Sequence, residues 1–159
     1  MKDIIDNVSI KIQTGVYKAF QILPNKPWYA LGEFVDNAIQ SYENNKSIFE
    51  KLYEGNYTLQ IIIRIDKEND IISIKDNAGG IGLDNYGRAF EPANIPTDNT
   101  GFNEHGMGMK TASIWLSNVW KVKTKAINEN EIRFLEFNLN KVIDEKMENL
   151  KVVRTPEDK

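Results

Sequence analysis

The sequence contains no cysteine. That excludes disulfides, thiolate nucleophiles and thiolate metal sites together. It contains one histidine, His105, so a metal centre built from several imidazoles is excluded as well. No apolar run approaches the roughly 18 residues that a membrane-spanning helix needs. The opening MKDIIDNVSIKIQ interleaves charges with apolar residues and does not read as a signal peptide. The expectation is a cytoplasmic chain with no membrane partner. A basic excess is also missing. The formal net charge is −3, which gives no support to direct DNA binding by this segment. Lys121, Lys123 and Lys125 alternate and would share one side of a strand; a solvated strand face accounts for them better than a nucleic-acid surface. Internal repeats and low-complexity segments are absent.

What is present fits one ordinary domain. The chain has 159 residues, 41% hydrophobic and 27% charged, enough to bury a core. Residues 3–20 show no clear period, and Leu23 to Trp28, with two prolines, reads as a turn. From Trp28 to Tyr53 the spacing predicts a helix whose buried face carries Ala30, Leu31, Phe34, Val35, Ala38 and Ile39. Gly55-Asn56 ends that pattern. Thr58–Asp66 and Ile71–Asp76 are rich in β-branched residues and predict a hairpin around Lys67 to Asp70. A glycine cluster follows, then a short helix over Leu83 to Phe90. Glu91 to His105 reads as a long polar loop, residues 107–117 as a helix, and Val119–Ile127 and Glu131–Leu139 as two strands around the turn Asn128 to Asn130. From Lys141 onward the chain reads as a charged tail. The order predicts an α+β two-layer sandwich, with a largely antiparallel mixed sheet and helices on one face.

Three segments concentrate chemistry. Glu33 and Asn37 are four apart on the first predicted helix and share a face, with Asp36 nearby. A carboxylate beside an amide oxygen suits activation of water and binding of a hard cation. Two surface polar residues on an amphipathic helix are the alternative. Asp76 ends a strand and runs into Asn77-Ala78-Gly79-Gly80-Ile81-Gly82, where a carboxylate could accept a hydrogen bond from a ligand that the backbone approaches closely. A simple Asp-Asn turn is the alternative there. Gly106 and Gly108 precede a helix start with Lys110 just inside it, and free helix amides attract phosphate. The spacing matches neither the G-x-x-x-x-G-K-[ST] loop nor the dinucleotide fingerprint.

Taken in order, the three segments resemble the boxes of the GHKL ATPases, the family of gyrase, heat-shock clamp chaperones, histidine kinases and MutL. Glu33 and Asn37 match the E-x-x-x-N helix. Asp76, Gly80 and Ile81 match D-x-G-x-G plus an apolar residue, with Ala78 at the first glycine position. Gly106, Gly108 and Lys110 resemble the glycine-rich third box, with Asn103 where a glycine is expected. The resemblance covers about residues 25–125 and implies the Bergerat α/β sandwich with ATP and Mg²⁺ as cofactors.

By that resemblance Glu33 is the general base, and Asn37 gives its side-chain oxygen to Mg²⁺. Asp76 accepts the adenine amino proton, with Gly80, Ile81 and Gly82 beside the base. Gly106, Met107, Gly108, Met109 and Lys110 line the phosphates. Residues 91–105 would be a lid, with His105 at its edge. The wording D-N-A-G-G-I and A-F-E-P resembles histidine kinases, while Glu33 and G-M-G-M-K resemble the MORC and heat-shock-chaperone branch. The resemblance implies slow, lid-closing ATP hydrolysis in a clamp that dimerises with nucleotide, acting on a protein or DNA client. A histidine-kinase-type catalytic domain and a non-hydrolysing nucleotide module stay open as alternatives. The family continues through a Gly-Thr strand and a transducer domain, so the expectation for residues 1–159 is one domain, the N-terminal part of a longer protein.

Overall fold

The computed structural model describes residues 4–9, 15–90 and 108–156. A strand, β1 (Ile4–Ser9), and a helix, α1 (Gly15–Ile22), occupy the stretch where the sequence shows no period. The next helix, α2 (Pro27–Asn44), begins with proline at its first position, where the missing N–H costs no helical bond. A separate helix, α3 (Lys46–Leu52), follows. The sequence predicts one continuous helix here, and the structure breaks it at Asn45. The Asn45 backbone leaves helical geometry at φ −111° and ψ 9°. Its side-chain nitrogen donates to the Ser41 carbonyl at 2.8 Å, a local bond that competes with helix propagation.

The hairpin is as predicted, with β2 (Ile61–Asp66) shorter than expected and β3 (Ile71–Asp76) as expected. Its turn is organised by Asp66, whose carboxylate accepts from the amides of Glu68 and Asn69 at 3.0 and 3.1 Å and from the Asn69 side chain at 2.8 Å. Those bonds to Asn69 hold the Asp66 carboxyl below its ordinary pKa. A 3₁₀ turn (Leu83–Asn85) then leads into α4 (Tyr86–Phe90).

The second half contains α5 (Gly108–Leu116), β4 (Val119–Lys125), β5 (Glu131–Asn138), α6 (Leu139–Asp144) and β6 (Asn149–Pro156). Asn138 caps α6 by accepting from the Lys141 amide at 3.1 Å. The segment that reads as a charged tail thus supplies a helix and a strand. β6 lies between β5 and β1 in a four-stranded antiparallel sheet of order β1-β6-β5-β4. No Gly-Thr step occurs on β6.

Alternation decides which face of that sheet is buried. Trp120 pairs with Phe137 and Val122 with Leu135, and Leu135 pairs in turn with Val152. All of these join Tyr17, Tyr86, Phe90, Ile114, Leu139, Val142 and Leu150 in one core, so the helices cover one face, as an α+β two-layer sandwich requires. Side chains such as Leu135 and Phe137, at 1% and 2% exposure, contribute about 1.5–3 kcal/mol each. Lys121, Lys123 and Lys125 point to the opposite, exposed side, and Lys121 pairs with Glu136 at 3.2 Å. They form the solvated strand face expected from sequence.

Candidate functional site

One end of the site lies where α2 meets α5. Buried Ala30 and Ala38 hold α2 against the protein, and the half-buried Glu33 and Asn37 follow the same side of the helix. The Asn37 side-chain nitrogen donates to the Glu33 main-chain carbonyl at 2.6 Å. That bond ties the Asn37 side chain to the turn of α2 that carries Glu33. The Glu33 carboxylate lies against Gly108, the first residue of α5. Any Cβ at Gly108 would fall inside that carboxylate and push it aside, so glycine leaves the space in which the Glu33 carboxylate sits. The first turn of a helix presents unpaired amides, and Glu33 therefore sits beside an anion-attracting backbone.

Electrostatics set Glu33 apart from an ordinary surface acid. Burial, followed by the nearby Asp36 carboxylate, pushes its pKa up. A carboxylate shifted upward is a better proton acceptor, which suits general-base chemistry. Met109 is half-buried and Lys110 is 4% exposed, inside the protein on the first turn of α5. Ser113 donates to the Met109 carbonyl at 2.7 Å and Thr111 to the Gly108 carbonyl at 3.1 Å, tying the first turn to the next. Gly106, Met107, His105 and the segment 91–105 expected to form a lid lie outside the described residues.

The other end is built around the C-terminus of β3. Asp76 is exposed, and one of its oxygens accepts from the Ala78 amide at 2.9 Å. Among the described residues its second oxygen has no partner and is available to a ligand donor. Asn77 extends the hairpin past its last ladder pair. It accepts from the Gln60 amide at 2.7 Å, donates to the Thr58 carbonyl at 3.1 Å, and its own carbonyl accepts from the Tyr57 hydroxyl. Burial, followed by Tyr53, Asp76 and Tyr42, raises the pKa of that hydroxyl above its ordinary value. Gly80 has φ +68°, and a Cβ there would overlap the Lys125 carbonyl. Only glycine meets both conditions without strain. The half-buried Ile81 donates its amide to Thr124 Oγ1 at 2.9 Å, and Gly82 lies beside Ala126 and Glu129.

A single helix joins the two ends. The Asn45 side chain at the end of α2 lies against Gly79, while Glu33 near its start lies against Gly108. At the rise of an α-helix these contacts are about 18 Å apart. The arrangement suits an elongated ligand, with an anionic group at the start of α5 and a hydrogen-bond donor at Asp76.

The structure brings Glu33 and Gly108 together at one end and Asp76, Gly80 and Ile81 at the other, and it adds Asn45, Tyr57, Asn77 and Thr124 as residues that hold these segments in place. Of these four only Asn77 carried a signal in the sequence, its Asx chemistry in a turn. Among the described residues no cluster of three or more acidic or histidine side chains could cage a metal. Mg²⁺ fits such a site, because it is usually held by one or two protein oxygens together with ligand phosphates and water; Asn37 would supply the protein oxygen.

No helix among the described residues is long and apolar enough to cross a membrane. A comparison with the curated proteins found no significant match. The family model described as histidine kinase-, DNA gyrase B-, and HSP90-like ATPase matches residues 25–158.

Proposed function

The chain belongs to the histidine kinase-, DNA gyrase B-, and HSP90-like ATPases, and we propose that it binds ATP between Asp76 and the start of α5 and hydrolyses it slowly. Family membership supports ATP binding. The observation that carries the hydrolytic reading is the Glu33 carboxylate seated against Gly108, with its pKa raised by burial. A degenerate, binding-only module has no need of an acid at that position.

In this reading Asp76 accepts a hydrogen bond from the adenine amino group through the oxygen that Ala78 leaves available. Gly80 lets the backbone come close, and Ile81 and Gly82 flank the base. The amides of Gly108 and Met109, on the first turn of α5, would face the phosphates, with Gly106 and Met107 as the expected continuation of that cradle. Lys110 adds positive charge from within the first turn of α5. Asn37 would hold Mg²⁺, which would neutralise phosphate charge when bound. Glu33 orients the attacking water and takes its proton. Positioning and electrostatic support supply most of the catalysis in phosphoryl transfer, so few residues need change chemically. Residues 91–105 would close over the triphosphate, and hydrolysis would reopen them. The setting we infer is a cytoplasmic clamp of the MORC or chaperone kind that dimerises with nucleotide and works on a protein or DNA client.

Glu33→Ala tests this reading. The variant should bind Mg·ATP as the native chain does and lose hydrolysis in a phosphate-release assay. Hydrolysis at the native rate would remove Glu33 as the base.

A further inference from the structure

The glycine loop after β3 is docked onto the end of β4 and the turn that follows. The Gly79 carbonyl accepts from the Ile127 amide at 2.9 Å, Gly80 abuts the Lys125 carbonyl, Thr124 accepts from the Ile81 amide, and Glu129 Oε1 accepts from the Leu83 amide at 3.4 Å. Three of these tethers use backbone groups or a hydroxyl. The fourth uses a carboxylate, and its position depends on a charged partner.

That partner is Arg133. Thr124, Arg133 and Arg154 form a polar row at the end of the inward sheet face, where the apolar rows stop. Arg133 is 4% exposed. It pairs with Glu129 and, at 3.3 Å, with Glu131, which also holds Arg154 at 3.3 Å. Its guanidinium lies 5.8 Å from the Tyr86 ring centre. A buried arginine is stable only when paired, and its planar fork fixes the direction of the carboxylates that pair with it. Arg133 therefore aims Glu129 at Leu83. We propose that Glu129, oriented by Arg133, is a positioning residue that sets the geometry of the Gly79–Leu83 loop and hence selects the base of the bound nucleotide. The functional half of this inference rests on the ATP reading above. Glu129 itself touches no ligand.

The test uses the full chain with Glu129→Ala and the conservative Glu129→Gln. Amide hydrogen exchange at Leu83 reads the loop directly. Calorimetric titrations with Mg·ATP, Mg·GTP and inorganic tripolyphosphate separate the base end from the phosphate end. Glu129→Ala should speed Leu83 exchange, weaken ATP on the order of tenfold, narrow the preference for ATP over GTP, and leave tripolyphosphate unchanged. Glu129→Gln, which keeps an acceptor, should restore most of the difference. Equal losses for ATP and tripolyphosphate would mean a general structural role and overturn the inference. So would unchanged Leu83 exchange. A native chain that binds no ATP would overturn the ATP reading and the base-selection half with it, while Leu83 exchange would still decide the positioning half. If Glu129→Ala fails to fold, Arg133→Lys, which removes the planar fork that orients Glu129, carries the same comparison.

Discussion

Glu33 is a carboxylate placed where its charge is disfavoured. Burial and Asp36 raise its pKa above the ordinary value of 4.5, so the folded protein holds the proton more tightly than the unfolded chain does. Such a group contributes stability that is fully present below the unfolded pKa and lost as pH rises through the folded one. Glu33→Gln removes that loss. In thermal melts without nucleotide the variant should be more stable than the native chain at pH 7, with the advantage fading below about pH 4. A destabilised variant at pH 7 would mean that the carboxylate is held by favourable contacts instead. Under the proposed function, that stability given up at neutral pH is what keeps a proton acceptor in place, a pattern expected of functional groups.

At the scale of elements, the α2–α5 junction is the part on which the proposed mechanism rests. Gly108→Ala tests it separately from the chemistry of Glu33. Alanine favours a helix over glycine by about 1 kcal/mol, so α5 should persist. The new Cβ must displace the Glu33 carboxylate. Hydrolysis should fall on the order of 100-fold, because small misplacements of a catalytic group have effects of that size. The melting temperature should hold or rise. A variant with native turnover would show that the contact between Gly108 and Glu33 is incidental.

The elements that were legible in the sequence are those with a strong local period. The β2–β3 hairpin, α5, β4 and β5 belong to this group, and α2 does in part, because Ala30 and Ala38 of its expected buried face are buried while Leu31, Phe34, Val35 and Ile39 are half-buried. β1 and β6 were not legible, because each is stabilised by pairing with a strand distant in sequence. In β6 the alternating Leu150 and Val152 are the buried positions, and they lie among charges. The break at Asn45 depends on a side-chain bond and on Gly79 from another element, which no periodicity reports. Arg133 could have been found. It lies two residues before Leu135 on the inward side of β5, so the alternation already placed it in the core, where a charge must have a partner.

For the whole molecule, α2 spans the proposed ligand from end to end, with Glu33 at the start of α5 and Asn45 at the loop that follows Asp76. The sheet supports the second end through β4, β5 and the turn between them. The central claim is that these separate elements form one nucleotide site. A calorimetric titration of ATP with Mg²⁺ into the purified chain, repeated with Asp76→Asn, tests it most directly. The account predicts micromolar-to-millimolar binding, about −8 to −4 kcal/mol, that is lost in the variant. Failure of the native chain to bind ATP, or undiminished binding by Asp76→Asn, would contradict it.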